Sequence, residues 1–334
     1  MKFFTRSISI ILSLMLLVGC GKNNTSANSG EDVPTDPVPI PQSVRVGSLK
    51  GPTSMGLISM MDSNAAVTGK NFYEFTMVTA ADELLGQMAT GKLDIALLPA
   101  NLAANLYQKM DGGLAVININ TLGVLYIVTG SEEIRELRDL SGRTLTLTGK
   151  GTTPDYAVQY LLDAYDVKDV TLEYKSEAAE VAAVLAADPN TAGLLPQPFV
   201  TAAMMQNDQL QMVLDLSEEW DALDNHSRLV TGVTVVRRDF LESHPDAVSL
   251  FLEDHAASVA YTNEYPAEAA ELIAAAGIVA KAPIAQKALP YCHLTCLTGE
   301  EMRTALSGYL QVLHGQNPQS VGGALPEDDF YYIP

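Results

Sequence analysis

Apolar and polar positions change period repeatedly along the chain. Short apolar or alternating runs, VRVGSL from Val44, FTMV from Phe75, DIALLP from Asp94, LTLTG from Leu145, TLEY from Thr171 and TAGLLP from Thr191, read as strands. Each is followed by a stretch with helical spacing: from Thr53, Asp82 to Thr90, Asn101 to Gln108, Asp155 to Ala164, Glu180 to Ala187 and Phe199 to Gln206. Strands alternating with helices of this length predict an α/β fold whose sheets are largely parallel with helices on both faces. After VTGVTVV the pattern is helical from Asp239 to Leu313, and those helices must pack against something earlier.

Two pairs of segments resemble each other without gaps. DELLGQMATGKLDIALLPANLAANL aligns with AEVAAVLAADPNTAGLLPQPFVTAAM, so that Pro99 and Pro196 close equivalent strands. LKGPTSMGLISMM around Lys50-Gly51 aligns with TGKGTTPDYAVQYLL around Lys150-Gly151. Two pairs in the same order indicate two similar lobes, each with two strand-to-helix crests. Ligands of open parallel sheets bind beyond the carboxyl ends of the strands, where helix N-termini offer free N–H groups. Two facing lobes therefore line one cleft with four crests. The run TLGVLYIVTG predicts a crossing to the second lobe near Gly130, and SRLVTGVTVV the return. The expected divisions are a first lobe over 43–130, a second over 131–228, and a return with C-terminal helices over 229–334. Two crossing strands make a hinge.

Ahead of the lobes, Lys2 and Arg6 precede an apolar run from Ile8 to Val18, the layout of a secretory signal peptide over 1–19. The run falls short of the roughly 20 residues of a membrane span. Leu17-Val18-Gly19-Cys20 resembles the lipobox of bacterial lipoproteins, which makes Cys20 a lipid anchor. Residues 20–42, rich in Asn, Ser, Gly, Asp and Pro, read as a tether with too little to bury to offset its ordering entropy. The expected location is extracytoplasmic, on the cell membrane.

The formal charge of −20 becomes −22 once Lys2 and Arg6 are cleaved away, which makes nucleic acid a poor partner. Cys292, His293 and Cys296 stand in PYCHLTC without a second Cys/His cluster, so no metal site is expected; buried residues or a local disulfide both remain open. The elbows, loops and His-Glu-x-x-His pairs of common enzymes are missing, and a binding protein without cofactor or catalytic residue is the expectation.

The secreted start, VRVGSLKGP, LDIALLP, TGKGTTPDY, and the return EW…LVTGVTVVRRDFLESHPDAVSLFL resemble the NMT1/THI5-like (SsuA/TauA-like) periplasmic-binding-protein family. The resemblance runs from Val44 to Tyr332. It implies a type II-like periplasmic-binding-protein fold, two doubly wound α/β lobes joined by two crossing strands, and a monomer that carries a small molecule to an ABC permease and its ATPase. A sensor component, or an enzyme of the thiamine-precursor kind, are the alternatives. Carried onto this chain, the ligand contacts are Gly51, Pro52, Thr53 and Ser54; Pro99, Ala100 and Asn101; Thr152, Thr153 and Tyr156; Gln197, Pro198 and Phe199; and Thr231 on the return strand.

These crests offer hydroxyls, two amides (Asn101, Gln197) and two aromatic faces (Tyr156, Phe199), with no Arg to grip a carboxylate. Asp155 reads as a helix cap. Hydroxyls at helix N-termini suit a sulfonate-like oxyanion; amides and rings suit a pyrimidine-like heterocycle.

Overall fold

The structure is a computed structural model that describes residues 42–63 and 71–334, without the Ser63 side chain. The expected signal sequence, Cys20 and nearly all of the tether lie outside the described residues. In chain order the elements begin with β1 (Gln42–Leu49), α1 (Pro52–Met55), α2 (Ile58–Ser63), β2 (Asn71–Val78), α3 (Ala81–Ala89), β3 (Ile95–Pro99), α4 (Ala100–Lys109) and β4 (Leu114–Leu122). There follow β5 (Leu125–Thr129), β6 (Thr144–Thr148), α5 (Thr153–Ala164), β7 (Thr171–Lys175), α6 (Ala178–Ala187), β8 (Ala192–Pro196), α7 (Phe199–Gln206), β9 (Gln211–Asp215) and α8 (Leu216–Asp221). The chain ends with β10 (Val230–Arg237), α9 (Arg238–Ser243), α10 (Pro245–Glu264), α11 (Pro266–Ala275), α12 (Ala282–Ala288), β11 (Leu294–Leu297) and α13 (Gly299–Gln316).

These strands form two sheets, ordered β11-β4-β10-β3-β1-β2 and β7-β6-β8-β5-β9. In the first, β1 pairs in parallel with β2 and β3; in the second, β6 pairs in parallel with β7 and β8. The returning strand β10 is antiparallel to both β3 and β4. The mixed α/β architecture with two sheets is the one expected, but the sheets are not largely parallel: β10 and β11 in the first and β5 in the second pair antiparallel with their neighbours, because the chain crosses between sheets and returns. β3 and β8, buried almost throughout, are the equivalent IALLP and AGLLP strands, with helices covering their faces.

The crossing lies earlier than the pattern predicted. β5 already belongs to the second sheet, so the chain passes between sheets at Leu122–Leu125, not near Gly130. The apolar run TLGVLYIVTG hides the break, because both flanking strands are buried and neither alternates. Gly123 marks it: a Cβ there would lie 2.2 Å from Ser217 Oγ and 2.8 Å from Leu229 Cδ2.

One buried cluster runs through both sheets, joining Leu98, Val116 and Ile119 to Ile127, Leu145 and Leu147 by way of Trp220, Leu306 and Tyr309. α13 supplies the bridge, packing on α4 and β4 on one side and on α5 on the other. No helix among the described residues is long and apolar enough to cross a membrane.

Candidate functional site

The crests take shape from the strand ends. At the first, Thr53 Oγ1 donates to the Leu49 carbonyl across 3.0 Å, and Ser54 Oγ donates to the same oxygen. Both hydroxyls thus satisfy the last carbonyl of β1, while Ser54 also meets Ser48 Oγ at 2.6 Å. Ser54 is fully buried, which removes it from any open surface. At the second crest Pro99 precedes α4, and Asn101 is buried in its first turn. The Asn101 carbonyl accepts from Asn105 Nδ2 at 2.8 Å, while its own amide bonds to no other described residue.

These two crests meet at Gly232. Pro99 is its partner in the β3–β10 register, and a Cβ at 232 would come within 2.5 Å of Asn120 Oδ1 and 2.8 Å of Thr53 Cγ2. Glycine is required there for close approach. Next to it, at a shift in the β4–β10 register, Thr231 has a buried Oγ1 without a partner among the described residues.

The fourth crest reaches the same neighbourhood through the crossing, because the Gln197 N–H donates to the Val124 carbonyl at 2.9 Å. Gln197 is buried and precedes a cis peptide bond to Pro198. Its Oε1 accepts from Thr201 Oγ1 (2.8 Å) and from the Thr201 N–H (3.4 Å). A backbone N–H can only donate, so the amide orientation is fixed and Nε2 is turned away from Thr201. That Nε2 is a buried donor with no partner among the described residues, a state that ordinarily costs about 1–3 kcal/mol. Beside it, Phe199 leaves 43% of its surface exposed at the start of α7.

The third crest behaves differently. Thr152 Oγ1 folds back onto the Gly149 carbonyl at 2.6 Å, and Thr153 Oγ1 accepts from Tyr309 at 3.4 Å. Tyr156 is buried; its hydroxyl accepts from Asn317 Nδ2 at 2.9 Å and its carbonyl from Gln316 Nε2 at 3.1 Å. These two bonds tie Tyr156 to the end of α13. Asp155 caps the crest, accepting from the Gly151 N–H (2.7 Å) and from Tyr174 (2.6 Å), whose own ionisation burial pushes up. Lys150 Nζ lies 5.2 Å from the centre of the Tyr174 ring.

Sequence reasoning missed a polar layer behind the first crest. The Asn118 amide bridges His255 Nδ1 (3.0 Å) and Cys296 Sγ (3.2 Å), and Asn120 Nδ2 donates to Thr234 Oγ1 (3.1 Å). Burial alone lowers the His255 pKa to about 4, so the ring is neutral. The two asparagines, separated by one residue within AVININT, share a face of β4, and that alternation was the available signal. Both C-terminal thiols are free: Cys292 is buried against Ala288 and Met55, and Cys296 lies on Asn118. Among the described residues no group of His, Cys, Asp and Glu is placed to hold a metal ion.

The solved structures most relevant here are an ABC transporter protein from Parabacteroides distasonis, the periplasmic aliphatic sulphonate binding protein SsuA from Escherichia coli, and a conserved Candida albicans protein. The first is 25% identical, with 88% of this chain and 99% of that one covered at a TM-score of 0.75. SsuA is 15% identical, covering 88% and 93% at a TM-score of 0.70. The Candida protein, described as having the generic periplasmic binding protein structural fold, is 14% identical, covering 86% and 92% at 0.54. This chain therefore has the periplasmic binding protein fold. No curated protein matches the sequence. A family model described as menaquinone biosynthesis matches residues 52–314, most of the chain, and the chain belongs to that family.

Proposed function

We propose that the chain is an extracytoplasmic solute-binding lipoprotein, tied to the membrane by Cys20, that captures a small molecule between its lobes for an ABC import permease. The observation that carries this reading is the Gln197 amide: a buried, fixed donor without a partner among the described residues, at a crest where the Phe199 ring is exposed. In this reading Thr231 Oγ1 and the Asn101 amide add neutral hydrogen-bonding groups to the cleft, and Phe199 adds one aromatic face. Such a set suits an oxyanion such as a sulfonate, or a flat heterocycle with carbonyl acceptors. The names of the Parabacteroides and Escherichia coli relatives support transport.

A second reading, conversion of the bound compound, draws on the family's description as menaquinone biosynthesis. The crests argue for binding alone, since their one buried carboxylate, Asp155, is occupied by a backbone N–H and a phenol. Melting the protein with alkanesulfonates, pyrimidines and nitrate, then recovering each compound for mass analysis, tests both readings. A ligand at 100 times its Kd adds about 2.7 kcal/mol, and should be recovered unchanged. Gln197→Leu should lose the ligand shift, read against the variant's own ligand-free melting temperature, since the change also removes the acceptor of Thr201. An unaltered shift in that variant defeats the site assignment, and a converted compound favours the second reading.

A further inference from the structure

The edge strands β11 and β9 belong to different sheets, and one side chain spans them. His293 stands immediately before β11 in a left-handed conformation (φ 44°). Its backbone carbonyl accepts from the Leu122 N–H at 3.1 Å, and its Nδ1 lies 2.6 Å from the Gly123 carbonyl, so both groups seize the crossing segment. A carbonyl only accepts, so Nδ1 carries a proton. In the neutral ring Nε2 is then a bare acceptor, and it faces Asp215 Oδ2 at 3.7 Å, at the end of β9. Two acceptors facing each other gain nothing. Adding one proton turns the same geometry into an ion pair. Two residues earlier, the Tyr291 carbonyl accepts from Tyr126 of β5 at 2.7 Å, so the turn holds the second sheet at a further point.

We infer that His293 is a proton-dependent fastener of the hinge: the imidazolium ties the β11 edge to Asp215 through Nε2–H while Nδ1–H holds Gly123, and loss of the proton slackens the crossing. The charged groups around His293 are Asp215 from β9, Glu218 and Asp221 from α8, and Arg228 before β10, all lining one cavity of about 330 Å³ with it. Arg228 pairs with Asp221 at 3.2 Å. His293 also lines a second cavity with Asn263 and Pro266, which carry no charge. The Tyr126 ring completes the surroundings, its centre 6.3 Å from that of His293. The inference concerns the hinge and stands whatever the ligand.

Hydrogen–deuterium exchange on the full chain without ligand, in detergent at pH 5.5 and pH 8 and corrected for intrinsic rates, reads the crossing directly. The Leu122 amide, which bonds to His293, is the reporter. Protection of the peptide over 121–126 should fall by roughly two- to fivefold between the two pH values, the scale of a partly exposed ion pair. His293→Gln and Asp215→Asn should each remove this dependence while leaving protection of β1 and β6 unchanged. Equal pH dependence in the wild type and in both variants overturns the proposal. So does a wild type with no dependence at all. If His293→Gln unfolds, Asp215→Asn, which keeps an oxygen to cap α8, decides alone.

Discussion

The Asn317 side chain, just past the end of α13, donates a hydrogen bond of 2.9 Å to the hydroxyl of Tyr156 on α5. With the Tyr309 contact to Thr153 it ties the C-terminal helix to the third crest. Tyr156→Phe removes one partner of that bond and should cost about 1 kcal/mol, seen as a lower melting temperature without ligand. Its effect on ligand affinity should be no larger than its effect on stability. A variant that melts normally and binds tenfold more weakly would instead put Tyr156 against the ligand.

Phe199 makes the opposite prediction. Its ring is exposed, so Phe199→Ala should change stability by no more than about 0.5 kcal/mol. Loss of stacking on a planar ligand is worth roughly three- to tenfold in Kd. Calorimetric titration of wild type and variant with the best pyrimidine or arylsulfonate from the melting panel measures both effects. Unchanged affinity for every planar compound would remove Phe199 from the site.

Buried His255 sets a pH dependence of stability. Its pKa falls to about 4 in the folded chain, below the roughly 6.5 of an exposed imidazole, so between these values the unfolded state binds more protons. Stability is therefore lost as the pH falls. The loss due to this ring should reach about 2 kcal/mol at pH 5 relative to neutral pH. Urea unfolding of wild type and His255→Gln at both pH values isolates it, and a variant retaining the full loss would exclude His255 as the cause.

The two C-terminal thiols should be inert. Burial pushes the Cys292 thiol up to about 12 and the Cys296 thiol up to about 11, which leaves little thiolate at pH 8. Peptide mapping after iodoacetamide treatment should find neither labelled in native protein and both labelled in urea. A disulfide between them would show as a pair unlabelled in both.

Much of the architecture is readable in the amino-acid sequence. IALLP and AGLLP announced equivalent buried strands because a strand covered on both faces must be apolar throughout. The turn chemistry around Lys50-Gly51 and Lys150-Gly151 marked the first and third crests. The failures share a cause, namely contacts distant in sequence. The ties of Tyr156 to Gln316 and Asn317 were out of reach because those residues come about 160 positions later. The crossing was displaced because Leu122 and Leu125 are equally apolar, and only packing against Ser217 and Leu229 distinguishes Gly123 as the joint. The donor state of Gln197 depended on Thr201, four residues on, and was within reach of a closer reading of PQPFVT.

The bridge formed by α13 also bears on how the molecule comes apart. Because Leu306 and Tyr309 belong to one buried cluster with residues of both sheets, neither lobe can lose its packing without exposing part of the other's. The two sheets are then a single thermodynamic unit for melting. Heating the ligand-free protein should give one endotherm whose calorimetric and van't Hoff enthalpies agree. The second sheet expressed alone should behave as an expanded, poorly ordered chain, although its five strands are contiguous in sequence.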